Sequence, residues 1–160
     1  MNDGLGKKAE QKIRIWLNRP QDGYSFDRIP DQMSGLYGSA NICDFICYKW
    51  PNLWYIESKA TEMDRFDFSR ISEYQMEHLR IKGKIPGVYA VVIVLYAMYK
   101  RTFVFNICDI YRLIEQGKKS LNITKIDKWT IPYAEIPTID SKKILLDYTG
   151  GLDSLIWNNR

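Results

Sequence analysis

The run Val88-Tyr89-Ala90-Val91-Val92-Ile93-Val94-Leu95 carries no charge and shows no alternation of apolar with polar positions. β-Branched residues dominate it, which favours a strand, and a strand apolar on both sides is stable only where both faces of its sheet are covered. The apolar stretch from Gly87 to Met98 is therefore expected to supply a central strand, over 88–97, of a sheet held between two layers.

Ala9, Ile13, Trp16 and Leu17 follow helical spacing and predict a first helix over about 4–18. Strands are expected at 24–29, 42–49 and 53–60, the last two joined as a hairpin by the turn Lys49-Trp50-Pro51-Asn52. A helix over 70–82, a strand over 102–107 and a helix over 109–117 complete a core of about 4–117. The extension from 118 to 160 offers short extended pieces at Ile131-Pro132-Tyr133 and Glu135-Ile136-Pro137, then Lys142 to Tyr148. Gly150-Gly151 is expected to break the chain there, with Leu152, Leu155, Ile156 and Trp157 packing back or meeting a second subunit. With 46% hydrophobic and 14% aromatic content over 160 residues, a single domain, 1–160, is expected. Its class is α/β: a mixed central β-sheet flanked by helices.

The hairpin strands carry Asp44 and, thirteen residues later, Glu57-Ser58-Lys59. Side chains two apart on a strand share a face, so Glu57 and Lys59 project together, and antiparallel pairing brings Asp44 beside them. Three charges on otherwise apolar strands are costly unless paired or bound to a metal. One reading is an exposed Glu57–Lys59 ion pair, worth about 0.2–1 kcal/mol, beside a strand-edge carboxylate. The other is a magnesium site, since this ion prefers hard oxygen ligands and is held by one or two carboxylates plus substrate phosphate oxygens. Asp44 and Glu57 would hold Mg2+, with Mn2+ as a substitute, while Lys59 would orient a water or stabilise developing negative charge.

The surrounding segments resemble, in order, the PD-(D/E)xK nuclease superfamily and, more narrowly, the RecU-type Holliday-junction resolvases in the short form carried by bacteriophages. Gly6-Lys7-Lys8-Ala9-Glu10 is similar to that family's first helix, and Ser39-Ala40-Asn41-Ile42-Cys43-Asp44-Phe45 to the segment with its catalytic aspartate. Tyr55-Ile56-Glu57-Ser58-Lys59-Ala60-Thr61 resembles its E-A-K-x-T core. The stretch from Phe66 to Leu79 resembles its F-x-x-x-x-I-x-x-x-Q-x-x-x-L helix, and Gly87 to Ile93 the buried strand that follows. The likeness spans roughly residues 4–110, with a weaker echo from Ile144 to Tyr148. It implies a restriction-endonuclease-like core, Asp44, Glu57, Glu10 and Ser58 at the metal, and Asp44, Glu57, Lys59 and Gln75 as the catalytic set. Glu10 on pattern alone is equally a helix glutamate supporting Arg14 four residues on, and Gln75 equally the N3 member of a capping box opened by Ser72.

Three departures stand out. Pro30 to Asn41 is short, whereas the bacterial resolvases resembled here carry a longer stalk that enters the junction. Tyr74 precedes Gln75 where histidine is common, and Cys43 rather than proline precedes Asp44.

Other chemistries lack parts. Cys43, Cys47 and Cys108 are an odd set without CxxC spacing, which argues against disulfides and zinc. Cys43 and Cys47 are expected on the strand face opposite Asp44, as small core residues. One histidine, His78, rules out a Ser-His-Asp triad or a two-histidine phosphodiesterase. No apolar run approaches the roughly 20 residues that span a bilayer, so a cytoplasmic protein is expected, without membrane contact or a small-molecule cofactor.

The net charge of +4 is modest, but its distribution is not uniform. Lys7, Lys8, Lys12 and Arg14 cluster on the first helix, Arg65 and Arg70 flank the helix with Gln75, and Arg80, Lys82 and Lys84 end it. Around a carboxylate site, Lys7, Lys8, Lys12, Arg65, Arg70, Lys82 and Lys84 suit branched or duplex DNA, since each phosphate contact releases counterions without reading sequence. Tyr37 and the loop Gly35 to Gly38 are candidates for close approach to the strands. The resemblance implies a homodimer, because paired symmetric nicks in a four-way junction need two active sites. The expected activity is a magnesium-dependent junction-resolving endonuclease of recombination and repair. A less selective nuclease of the same fold, or a non-catalytic DNA-binding recombination accessory, are the alternatives.

Overall fold

The computed structural model describes residues 3–17, 23–30, 40–140 and 145–158. Its elements in chain order are α1 (Asp3–Leu17), β1 (Ser25–Arg28), β2 (Phe45–Lys49), β3 (Asn52–Thr61), β4 (Arg65–Asp67), α2 (Glu73–Lys82), β5 (Val88–Tyr96), β6 (Arg101–Asn106), α3 (Ile107–Glu115), β7 (Ser120–Asn122), β8 (Tyr133–Glu135), β9 (Thr138–Asp140), β10 (Leu145–Leu146) and α4 (Tyr148–Asn158). Six strands form one sheet in the order β1-β2-β3-β5-β6-β8. All neighbours are antiparallel except β3 and β5, which run parallel from Leu53↔Val88 to Thr61↔Tyr96. Parallel neighbours require a crossover, and α2 lies in the connection between these two.

β5 is buried on both sides, as its composition requires. Val92, Val94 and Tyr96 enter a cluster with Met76 and Leu79 of α2 and Ile107, Ile110 and Leu113 of α3. Val91 and Ile93 enter a second cluster with Ile13 and Trp16 of α1 and Leu152, Leu155 and Ile156 of α4. The predicted layers are thus assembled from α2 with α3 on one face and α1 with α4 on the other. The apolar stretch outlasts the strand: Ala97–Tyr99 form a 3-10 turn, and Met98 is 73% exposed.

Two expectations are corrected. Gly150 and Gly151 do not break the chain but lie in the first turn of α4. The Gly150 N–H donates to Asp147 Oδ1 at 2.8 Å, so Asp147 satisfies an otherwise orphaned helix-end donor. At Gly151 a Cβ would stand 2.8 Å from Ile136 Cγ1, so glycine lets the helix pack against the residue following β8. Leu152, Leu155 and Ile156 pack back onto the sheet as expected, whereas the Trp157 side chain lies outside the described residues.

The second correction concerns the cysteines. Cys43 joins the cluster under α2 and α3, and Cys47 joins the opposite one with Phe45. β2 starts at Phe45, so alternation does not extend back to Cys43, and the two thiols lie on different faces. Both are buried, and burial pushes the Cys43 thiol up to about 12, as expected of an inert core residue.

Candidate active site

Asp44 immediately precedes β2. Its N–H donates to Ile56 O at 3.0 Å and its carbonyl accepts from Ile29 N at 2.8 Å, so neighbours on both sides fix the backbone. β2 pairs with β3 in the register Phe45↔Ile56, and since the Asp44 N–H also bonds the Ile56 carbonyl, Asp44 and Phe45 together lie opposite Ile56 at the end of this ladder. Asp44 Oδ2 accepts from the Ser58 N–H at 2.7 Å. Ser58 enters the site through this backbone group. Trp54 and Ile56 belong to the cluster under α1 and α4, so alternation turns the Ser58 side chain the same way, opposite to Glu57 and Lys59.

Glu57 and Lys59 lie on the face covered by α2. Lys59 Nζ donates to Glu57 Oε1 at 2.5 Å and to Gln75 Oε1 at 3.5 Å. The Glu57 side chain is 2% exposed, and its Oε2 is buried with no hydrogen-bond partner. Burial therefore excludes an exposed Glu57–Lys59 surface ion pair. Burial is also the main reason that the Glu57 carboxyl is raised above the usual range, opposed by Lys59 and the Gln75 amide. Asp44 is pushed up to about 7, first by burial and then by the Glu57 charge, against the pull of the Ser58 N–H.

Gln75 makes the capping box and also contacts Lys59. Ser72 Oγ accepts from the Gln75 N–H at 3.2 Å and Gln75 Oε1 accepts from the Ser72 N–H at 3.4 Å, a complete capping box. The same Oε1 faces Lys59, so the cap that starts α2 also orients the amide towards the site.

Glu10 lies on α1 beside the buried Ala9 and Ile13. Its carboxylate pairs with Arg28 at 3.0 Å, at the end of β1, and not with Arg14. Both Asp44 and Glu57 are raised further by the Glu10 charge, so the three carboxylates share one electrostatic environment. Among the described residues, however, no group of three or more His, Cys, Asp and Glu side chains is close enough to hold a metal ion. Arg28 is the site residue that sequence reasoning missed. Its signal was a lone cation in the alternating run Ser25-Phe26-Asp27-Arg28, paired against the residues after Asp44.

The candidate DNA-binding cations are dispersed. Lys7, Lys8, Arg65, Arg70 and Lys84 are exposed and Lys12 and Lys82 half-buried. Arg65 pairs with Asp67 at 3.2 Å, and Lys82 lies 5.6 Å from the centre of the Tyr55 ring. His78 packs against Tyr74 with ring centres 4.2 Å apart. The region 31–39, with Tyr37 and the Gly35 to Gly38 loop, lies outside the described residues, as does most of the shortened stalk segment. No helix among the described residues is long and apolar enough to cross a membrane.

Comparison with known proteins bears on fold and family. A solved structure of Hjc, a Holliday junction resolvase from the archaeal hyperthermophile Archaeoglobus fulgidus, superposes with a TM-score of 0.50 at 17% identity, covering 74% of this chain and 89% of that one. At that identity the likeness concerns the fold, which is the expected restriction-endonuclease-like core. A comparison with curated proteins finds no match. The family model described as RecU, recombination protein U, matches residues 24–153. The match leaves out α1 with Glu10 and extends through β8 and into α4, well past the limit near residue 110 suggested by the motifs. Asp44, Glu57, Lys59 and Gln75 all fall inside it, and the chain belongs to the RecU family of recombination proteins.

Proposed function

We propose that this chain is a magnesium-dependent endonuclease that resolves four-way DNA junctions by paired phosphodiester nicks. The observation that carries the catalytic reading is the buried Glu57 Oε2 without a partner, beside an Asp44 carboxyl pushed up to about 7 by burial and then by the Glu57 charge. Two carboxylates forced together at low dielectric raise each other's proton affinity, and a divalent cation relieves both. Asp44 and Glu57 would hold Mg2+, with Mn2+ as a substitute, and two carboxylates suffice for an ion that fills its other positions with water and phosphate oxygens. When bound, the ion supplies charge neutralisation at the phosphate and lowers the pKa of a coordinated water. Glu10 is a third carboxylate in reserve, occupied by Arg28.

The chain's own residues do the rest. Lys59 has three donors, of which two face Glu57 and Gln75, leaving one for a water or a phosphate oxygen. Fixed at both sides, the ammonium needs little reorganisation as negative charge develops on the phosphate. The Ser58 N–H orients Asp44, and the α2 cap orients Gln75. Family membership supports DNA as the partner and a junction as the substrate. A homodimer follows from the paired nicks that resolution requires.

The test is cleavage of a labelled four-way junction beside linear duplex, flap and single strands, with magnesium or EDTA, by the wild type and Glu57→Gln. Symmetric nicks confined to the junction, absent with EDTA and in the variant, are expected. Cleavage of every substrate would retain the metal site but refute junction selectivity, and binding without cleavage would refute the enzyme.

A further inference from the structure

A cavity of about 710 Å³ opens on the far side of α2 from the catalytic residues. Glu73, Met76, Glu77 and Arg80 line it, a single stripe at helical spacing. At 100° per residue, Gln75 points about 150° away from the middle of that stripe. The cavity and the candidate active site are thus separated by one helix, about 10–12 Å with side chains. That distance matches about three nucleotides along a B-form strand and fewer along an extended one.

The walls combine an aromatic and aliphatic floor with a rim of both charges. Phe68, Met76 and Tyr111 lie in or against the core beneath it, and Ile114 is 36% exposed at its edge. The Arg80 guanidinium lies 4.3 Å from the centre of the Tyr111 ring, so a planar cation covers the aromatic. Such guanidinium and aromatic planes are the surfaces on which unstacked bases are held. Lys118 and Lys119 stand at the rim as phosphate partners, while Glu73 and Glu77 offer acceptors for the amino groups of a base edge. An apolar slot with acceptors on one part of its rim and cations on another is complementary to a nucleotide, and its volume lies in the range of small-ligand sites.

We propose that this cavity receives one unstacked nucleotide of the DNA strand that leaves the catalytic site across α2. The inference rests on the nuclease reading and adds a subsite to it. Extruding a nucleotide costs least where its pairing or stacking is disturbed, as it would be at the branch point of a junction opened by the bound protein. The subsite would give this chain a grip on branched DNA that does not depend on a stalk.

The experiment uses the full chain carrying Glu57→Gln, bound to a four-way junction in magnesium. A photoreactive thiothymidine is placed in turn at each of about five nucleotides on either side of the nick mapped with the wild type. Cross-links to Met76, Tyr111 or the 114–119 segment from positions about three nucleotides from the nick are expected. In parallel, an abasic site at that position weakens binding about 5- to 20-fold, and Ile114→Asp weakens it similarly without adding to the abasic loss. If Ile114→Asp does not fold, Lys118→Glu with Lys119→Glu, both exposed, replaces it. Junction cleavage by the wild type with cross-links only elsewhere would overturn the subsite and leave the nuclease reading intact. Absence of metal-dependent cleavage would overturn that reading and the subsite with it. Conversion of a dimer to a monomer by Ile114→Asp, with no position-specific abasic loss, would make the cavity a subunit interface and overturn the proposal.

Discussion

Replacing Asp44 by Asn is expected to stabilise the metal-free protein while abolishing its response to magnesium. Burial and the neighbouring Glu57 raise the Asp44 carboxyl from 3.8 to about 7 in the folded chain. Below the unfolded value both states are protonated and folding bears no charge cost. As the pH rises from about 4 towards 7, the unfolded chain releases this proton and the folded chain retains it, so stability falls. Above about pH 7 the loss is complete, and three units correspond to up to about 4 kcal/mol, shared with Glu57 because the two acids titrate together. Asn is neutral at every pH and keeps an oxygen to accept the Ser58 N–H now bonded at 2.7 Å. In EDTA the variant should therefore exceed the wild type by about 2–4 kcal/mol at about pH 8 and equal it near pH 4. Urea unfolding followed by tryptophan fluorescence at both pH values measures this directly. Magnesium at about a hundredfold over its dissociation constant should then add about 2.7 kcal/mol to the wild type and nothing to the variant. A variant less stable than the wild type at about pH 8 would refute the argument, because Asp44 would then be a structural partner instead of a strained ligand.

Three further outcomes are expected. Lys59→Ala should lower the cleavage rate about 100- to 1,000-fold, and since Lys59 holds the Glu57 carboxyl down, the pH profile should move upward. Rates measured across pH check both parts. Gly151→Ala should destabilise by about 1–3 kcal/mol through the 2.8 Å clash with Ile136, whereas Gly6→Ala, with nothing within 4 Å, should stabilise α1 by about 0.5–1 kcal/mol. Thermal melts of the two variants should shift in opposite directions. Tyr96→Phe should cost about 0.5–1.5 kcal/mol, since the phenol donates to the Leu121 carbonyl at 2.9 Å in a buried setting and phenylalanine removes that bond. Denaturant titration checks it, with cleavage at low temperature unchanged.

Much of this protein was determined by local sequence. The uncharged run from Val88 to Leu95 dictated a strand covered on both sides, and the observed β5 feeds both core clusters. The nearness of Asp44 to Glu57 and Lys59 followed from two strands joined by a short turn, and the capping box at Ser72 and Gln75 from a four-residue pattern. These features depend on near neighbours, or on pairings that a short loop fixes. Tertiary structure alone decided where distant segments meet. Gly150-Gly151 has the appearance of a break until Ile136 shows why a helix must have no side chain there. Cys43 looks like a partner of Cys47 until the backbone before β2 turns it to the other face. Glu10 finds Arg28, eighteen residues away, in preference to Arg14 on its own helix. The burial that makes Glu57 a strained acid and not a surface ion pair also comes from outside its own strand, because desolvation is imposed by whichever layers close over a residue.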